Sequence, residues 1–273
     1  MQRRGTYGFA AGGLIGSLGG LIGLGGAEFR LPVLVGLFRL PTLEAVIFNK
    51  AMSLAVVAAA LGFRLPAVPA DELLGHWTIA VNLLAGSLIG AWWAAGHAMT
   101  LPRVWLDRVI LVLLVALAGV MLTEAAFGLH DGSAPLIANS LARWAVGLVA
   151  GFGIGMVSAL LGVAGGELLI PTIVLLYGVD IRLAGSLSLA VSLPTMIVGF
   201  ARYSRSEAFS VLMRERRLFG FMLAGSVLGA GVGALLLGVV SSRVLMALLG
   251  IVLLISAIKV FQHATKDTAN GTH

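Results

Sequence analysis

The sequence predicts an all-α polytopic membrane protein made of two homologous halves, and three observations support this. Of its 273 residues, 59% are hydrophobic and only 11% are charged, with a mean hydropathy of +1.03. So few polar residues cannot cover a water-soluble globule of this length. A glycine-rich segment from Gly12 to Pro32 also returns 139 positions later as Gly151 to Pro171. Finally, both copies carry a glycine pair and a glutamate within an apolar context.

The repeat extends over most of the chain. Within the first copy, eight of 21 positions are identical at this offset: Gly12, Ile15, Gly16, Leu21, Gly23, Gly26, Glu28 and Pro32. Matches continue without a gap to the pair Gly90 and Gly229. Duplicated halves with interrupted apolar helices are typical of secondary transporters. We therefore predict a first transmembrane repeat over 1–130, a second over 140–263 and a short polar C-terminal tail over 264–273.

Charges and prolines divide the chain into eight apolar segments. They cover residues 8–38, 44–63, 76–97, 103–125, 142–178, 183–202, 217–239 and 243–262. About 20 residues cross a bilayer core of ~30 Å, so the first and fifth segments are too long for one span and too short for two. Each contains either one kinked helix or two half-helices in a hairpin that re-enters on the side it left. Each half thus has three to four transmembrane helices, one of them glycine-broken or re-entrant.

The number of spans decides how the halves are related. A hairpin plus three spans makes the halves inverted, whereas four spans make them parallel. Lys and Arg positions favour the hairpin, which places Arg39, Arg103 and Arg108 in the cytoplasm and Arg64 and Arg143 outside. Both models place the two termini and the arginine-rich loop between the sixth and seventh segments in the cytoplasm. We predict inverted repeats.

Composition argues against several other classes of function. There is no cysteine, and the five histidines occur singly, so neither a metal centre nor another cofactor is expected. No catalytic set of residues falls within the apolar segments, which argues against an intramembrane enzyme. The net charge of +6 is interpreted as cationic cytoplasmic loops rather than as a nucleic-acid surface.

The glycine breaks carry the predicted chemistry. Glycine adopts strained dihedral angles and lets a ligand approach the backbone, so we predict substrate binding at Gly25, Gly26, Gly165 and Gly166. Proline suits the first turn of a new half-helix after each break. Unpaired N–H groups and the positive end of the helix dipole would form an anion site there, and the two half-helix starts would converge on one anion near the midplane.

The alternative is that the glycines only permit close helix packing. We predict that role for five other glycines in the third and seventh segments: Gly86, Gly90, Gly225, Gly229 and Gly233.

Glu28 and Glu167 are the only carboxylates deep within apolar segments. An ionised group is costly in the membrane, which makes each a candidate proton carrier. Alternatively, each glutamate caps its half-helix or pairs with Arg30 or Lys50. Glu28 is close in sequence to Arg30 and is expected to face Lys50, whereas Glu167 has apolar neighbours, so Glu167 is the preferred proton carrier.

Lys50 is matched in the second half by the neutral Leu189. This asymmetry suggests one cation for one anionic substrate, although a lysine at the start of a segment can also snorkel to the membrane surface. Ser53 and Ser192 occupy matching positions and offer hydroxyl donors, unless they form ordinary helix contacts.

The motif resembles that of the sulfite exporter TauE/SafE family. A glycine motif with a proline a few positions later occurs twice, as Gly23-Leu-Gly-Gly and as Gly162-Val-Ala-Gly-Gly, and Ala-Gly-Ser-Leu-Ser-Leu-Ala-Val-Ser-Leu-Pro follows the second copy. The resemblance covers nearly the whole chain and implies proton-linked or facilitated movement of sulfite, sulfoacetate or other organosulfonates across the bacterial inner membrane. Its partners would be the lipid bilayer, a small anion and protons. This chain departs from the family pattern at Ala27 and Ala164, which replace glycines, and at the two glutamates, where an apolar residue is usual.

Two other functions stay open at this stage, a passive anion channel and a non-transport membrane assembly factor. The sequence also leaves open a homo-oligomer, the direction of transport and the identity of the anion.

Overall fold

A computed structural model of the protein consists of helices and short connections in the part of the chain that it describes. It describes residues 2–64, 66, 68, 70–97, 111–112, 115–116, 118–119, 121–123, 125–126, 135–161, 164–203, 210–237 and 239–270. The helices are α1 (Gln2–Ile22), α2 (Ala27–Gly36), α3 (Thr42–Arg64), α4 (Ala70–Gly75), α5 (Trp77–His97), α6 (Ser140–Leu161), α7 (Gly166–Tyr177), α8 (Ile181–Tyr203), α9 (Val211–Arg214), α10 (Arg216–Leu237) and α11 (Ser242–Asn270). No strand occurs among these residues, which confirms the all-α prediction.

Within the described residues, five helices are long and apolar enough to cross a membrane. The candidate spans are Ile47–Arg64, Trp77–Ala94, Ser140–Ala159, Ile181–Val198 and Arg216–Leu237. Large apolar side chains on these helices point outwards, as lipid-facing residues do, with Leu141 82% exposed and Leu235 80% exposed. The protein is therefore a membrane protein with several apolar spans.

Most predicted segments agree with the observed helices. Helices α3, α5, α8 and α10 coincide with four of them to within a few residues. Helix α11 contains the last segment and continues to Asn270, through most of the predicted tail. The segment 103–125 lies largely outside the described residues, and those described between 111 and 126 are helical.

The two long segments consist of unequal parts. Helix α1 has 21 residues and α2 has 10, which correspond to lengths of about 31 Å and 15 Å. Helices α6 and α7 repeat this arrangement with 22 and 12 residues. The prediction of two half-helices was therefore wrong in one respect, because the first helix of each pair has the length of a full span.

The chain turns back after each long helix. Arg4 Nη2, at the start of α1, donates to the Phe38 carbonyl just after α2 at 3.0 Å. A Cβ built on Gly26 would lie 2.9 Å from the Ile15 carbonyl oxygen, so the break folds back along α1. The segment thus ends on the side where it began, as the hairpin interpretation requires.

Pro32 and Pro171 do not start the short helices. Each is the sixth residue of its helix, since α2 begins at Ala27 and α7 at Gly166. The prediction that these prolines occupy the first turn was wrong. A proline inside a helix cannot donate to the carbonyl four residues earlier. The carbonyl groups of Glu28 and Glu167 therefore lose their usual helical donor.

Contacts at the helix ends establish the directions of the helices. Arg4 forms an ion pair with Glu215 at 3.8 Å, and Arg214 forms one with Glu44. These contacts place the starts of α1, α3 and α10 together at what we call the first end of the bundle. At the opposite, second end, Arg64 in the last turn of α3 donates to the Arg182 carbonyl at the start of α8 at 2.8 Å.

The equivalent helices of the two repeats run in opposite directions. Where α1 contacts α10, and where α5 contacts α6, the numbers of the contacting residues rise together. The two helices of each pair are therefore parallel. Helix α8 starts at the second end, close after α7, whose end shares a cavity with the starts of α5 and α6. Helices α1, α3 and α10 therefore run from the first end, and α6, α8 and α5 run from the second. This is the arrangement that inverted repeats would give.

The predicted packing glycines lie between these paired helices. A Cβ added to any of these five glycines would lie 2.0 to 2.2 Å from a backbone carbonyl oxygen of the partner helix. The five are Gly86, Gly90, Gly225, Gly229 and Gly233. Only glycine permits such close contact, so their packing role is confirmed. Each pair joins the first helix of one repeat to a later helix of the other.

Candidate functional site

Left-handed glycines form both helix breaks. Gly23, Gly25 and Gly26 have φ values of 96°, 80° and 72°, and Gly165 has 77°. L-residues with a side chain rarely adopt this conformation. Gly26 and Gly165 are the N-cap residues of α2 and α7, and neither receives a side-chain cap hydrogen bond. These left-handed glycines therefore permit the sharp reversal from the long helix into the short one.

The two breaks touch each other inside the bundle. A Cβ built on Gly166 would lie 3.1 Å from Leu24 Cα and 3.3 Å from the Gly23 carbonyl oxygen. A Cβ built on Gly25 would lie 3.9 Å from that of Ala164. The structure thus brings the starts of α2 and α7 together, although the two breaks are 139 positions apart in the chain.

A buried polar network surrounds the first break. Arg30 is fully buried, and its Nη1 donates to Asn49 Oδ1 at 3.2 Å and to Ser53 Oγ at 2.9 Å. Its Nη2 donates to the Gly25 carbonyl at 3.1 Å, and Asn49 Nδ2 donates to the Ala27 carbonyl at 2.9 Å. Side chains of α2 and α3 therefore hold the backbone of this break in place.

Different side chains hold the described part of the second break. Ser192, which matches Ser53, donates its hydroxyl directly to the Ala164 carbonyl at 2.8 Å. Leu169 occupies the position that matches the buried arginine and has no side-chain donor. Ser188 matches the asparagine, and its buried hydroxyl has no hydrogen-bond partner in the described part of the structure.

The charged candidates are buried in the bundle. Lys50 is 1% exposed and lies in the third turn of α3, and Glu167 is 7% exposed and is the second residue of α7. The alternative that Lys50 snorkels to the membrane surface is therefore wrong. Its side chain is buried, and two helical turns separate it from the start of α3. The side chain of Glu28 lies outside the described part of the structure.

Two arginines have a larger structural role than the sequence predicted. Arg30 was considered only as a partner for a glutamate, yet it binds the first break directly. Arg64 was counted as an external charge but is 1% exposed. It donates to the Gly20 and Leu21 carbonyls at 2.8 and 3.1 Å and to Ser186 Oγ at 3.0 Å.

The end of α1 explains the burial of Arg64. The last carbonyls of a helix have no intrahelical partner and form the negative end of its dipole. Here they lie within the protein, and the guanidinium satisfies them. An arginine in the last turn of a predicted helix was the available sequence cue. Arg64 therefore lies on neither membrane face and does not count in the comparison of Lys and Arg positions between the two faces.

Charges of the buried residues are unbalanced. The charged side chains that the structure places in the interior are Arg30, Lys50, Arg64 and Glu167. These are three cations and one carboxylate. Within the described residues, no group of three His, Asp or Glu side chains could hold a metal ion. The interior therefore offers hydrogen-bond donors and positive charge.

Comparison with known proteins gives one match. The family model described as Sulfite exporter TauE/SafE matches residues 7–260. No curated protein and no solved structure matches the chain at a significant level. The matched range contains both glycine breaks and all the buried charged residues described above.

Proposed function

This chain belongs to the sulfite exporter TauE/SafE family, and from that premise we propose that it is a secondary transporter of a small sulfur-containing anion. The substrate class is sulfite, sulfoacetate or a similar organosulfonate. The membrane is the bacterial inner membrane, with both termini in the cytoplasm. Transport is coupled to protons, and the two repeats are inverted.

The contact between the two glycine breaks is the observation that carries this proposal. Two short helices begin side by side in the protein interior, and helix starts attract anions through free N–H groups and the helix dipole. The proposed site consists of the backbone at Gly25, Gly26, Gly165 and Gly166. Because glycine has no side chain, a small oxyanion can approach the N–H groups at these positions directly.

The charge of the interior supports an anionic substrate. Among the described residues, the buried charged side chains are three cations and the carboxylate of Glu167. Positive charge in a low-dielectric interior attracts anions. A bound anion would restore the balance, with Lys50 supplying charge and the hydroxyl groups of Ser53 and Ser192 supplying further donors.

Opposite helix directions support alternating access. If the repeats are inverted, exchanging their conformations would turn a site open to one side into a site open to the other. The two breaks differ in their side-chain contacts, since Arg30 and Asn49 bind the backbone of the first and Ser192 binds that of the second, where Leu169 replaces the arginine. We infer that the second break moves more readily during the cycle.

A flux measurement in proteoliposomes tests the function. Sulfoacetate is a suitable probe because its permanently charged sulfonate keeps passive leak low. We expect an imposed pH gradient to drive sulfoacetate or sulfite against its own gradient, and a protonophore to abolish this movement. Flux that follows only the anion's electrochemical gradient would instead indicate a channel. Absence of flux for both anions would contradict the proposed substrate class.

A labelling experiment tests the topology. The chain has no cysteine, so single cysteines report without background. Met213→Cys, at an exposed position beside α10 at the first end, should react with an impermeant maleimide only from the cytoplasm, because arginines surround it. Trp77→Cys, at the second end, should react only from outside. Reversed labelling would overturn the orientation, and labelling of both from one side would overturn the inverted arrangement.

A further inference from the structure

Two cavities open at opposite ends of the bundle. The first has a volume of about 500 Å³ and is lined by Arg4, Leu37, Phe38, Arg39, Leu40, Pro41, Arg214 and Glu215. The second has about 360 Å³ and is lined by His76, Thr78, Ile79, Ser140, Arg143, Trp144, Tyr177, Gly178 and Val179. Each lies where a long helix starts and the following short helix ends.

The cavities correspond to each other under the sequence repeat. Lining residues that lie 139 positions apart are Arg4 and Arg143, Phe38 and Tyr177, Arg39 and Gly178, Leu40 and Val179, and His76 and Glu215. None of these lining residues belongs to the glycine motif, so the correspondence between the cavities is independent of that motif. An arginine at the start of the long helix is common to both cavities.

Each cavity is connected to the glycine breaks by a short helix. Helix α2 begins at the first break and ends at the first cavity, and α7 connects the second break to the second cavity in the same way. A helix of 10 to 12 residues is about 15 to 18 Å long, which is roughly half the thickness of the bilayer core. The cavities therefore lie on opposite sides of the candidate site at similar distances.

Both cavities carry positive charge. Three arginines and one glutamate line the first. Arg143 supplies the positive charge of the second, and its lining contains no carboxylate. A concave surface of one sign concentrates ions of the opposite sign and raises their association rate.

We propose that these cavities are the two entrance vestibules for the transported anion, with Arg4 and Arg143 as the equivalent residues that bind it before it reaches the breaks. The proposal rests on the proposed transport function and adds where the anion enters on each side. The ligand class is a small sulfonate or sulfur oxyanion.

Contacts within the two cavities make them unequal. Arg4 already binds the Phe38 carbonyl and Glu215, and Arg214 binds Glu44 close by. In the second cavity, no ion pair forms among the described lining residues. An anion that binds Arg4 must compete with Glu215, whereas an anion that binds Arg143 has no lining carboxylate to displace. Arg143 therefore binds the anion more tightly than Arg4 does.

Protection from cysteine labelling tests the proposal without requiring transport. Leu37→Cys and Ser140→Cys introduce reporters at exposed lining positions of the first and second cavities. The probe is sulfoacetate, because sulfite itself reacts with maleimides. We expect each cysteine to react from one side only, with sulfoacetate slowing both reactions and protecting Ser140→Cys at the lower concentration.

Charge variants identify the binding residue. Arg143→Gln should raise the sulfoacetate concentration needed to protect Ser140→Cys about tenfold, and Arg4→Gln should do the same for Leu37→Cys. The matched controls are Arg243→Gln at the second end and Arg217→Gln at the first, which remove an exposed arginine that lines neither cavity. The controls should leave protection unchanged.

The outcomes of these experiments distinguish a failure of the vestibule proposal from a failure of the proposed transport function. Protection that depends on Arg4 and Arg143 in a protein without sulfoacetate flux would sustain the vestibules and contradict the transport function. Flux without protection at either cysteine would overturn the vestibules alone. Equal loss of protection in the control variants would also overturn them, because it would show a general effect of surface charge.

Discussion

Replacing Gly166 with valine is expected to abolish anion transport while the protein still inserts into the membrane. A Cβ there would lie 3.1 Å from Leu24 Cα and 3.3 Å from the Gly23 carbonyl oxygen, and valine adds two more methyl groups. The nearest atoms belong to backbone, which cannot move aside as a flexible side chain can. The two breaks must then separate. Since a displacement of about 1 Å can cost a factor of about 100 at a functional site, we expect a loss of that size.

Gly153→Val provides the matched control. This glycine lies on α6 in the same repeat, and a Cβ built on it has no heavy atom within 4 Å. It should insert and transport at nearly the normal rate. The measurement is the initial rate of sulfoacetate uptake per inserted protein. Equal rates in Gly166→Val and Gly153→Val would contradict the proposal that substrate contacts this backbone.

Gly165→Val should also be inactive, but for a mixed reason. Its φ of 77° is unfavourable for a β-branched residue, so this variant loses folding stability as well as space. Gly166 belongs to the helix and has no positive φ. The Gly166 variant therefore separates the effect on the site from the effect on folding.

Sequence patterns that depend only on neighbouring residues predicted the structure well. Long apolar runs correctly predicted α3, α5, α8 and α10, because about 20 apolar residues specify a span in any context. The glycine pairs marked both breaks, since left-handed backbone requires glycine. The starts of α3 at Thr42 and α8 at Ile181 are 139 positions apart, as are the starts of the two segments that predicted them.

Features that depend on tertiary contacts were missed or wrong. Proline suits both the first turn and, at some cost, the interior of a helix, and its position alone could not show that α2 and α7 begin five residues earlier. Arg64 contacts Ser186, 122 positions away, and no local pattern reveals such a partner. Burial of Arg30 likewise depends on how α2 packs against α3.

The roles of the two glutamates are expected to differ. Glu167 is 7% exposed and lies directly after the second break. Leu169 and Leu189 stand in its repeat where the first repeat has Arg30 and Lys50. Desolvation penalises a charged carboxylate in such surroundings, whereas the first repeat has two cations at the corresponding positions. We therefore propose that the coupled proton travels on Glu167.

Glu167→Gln is expected to remove the pH dependence of transport and leave exchange that a pH gradient does not drive. Glutamine keeps the shape and buried hydrogen-bonding capacity of the protonated acid but cannot release a proton. The measurement is the initial uptake of sulfoacetate against external pH, because the charge of this substrate is constant near neutral pH. Glu28→Gln is the comparison variant and should keep the pH dependence while losing affinity or folded protein. If Glu167→Gln retains the wild-type pH profile, the proton does not travel on this carboxylate and the coupling mechanism is wrong.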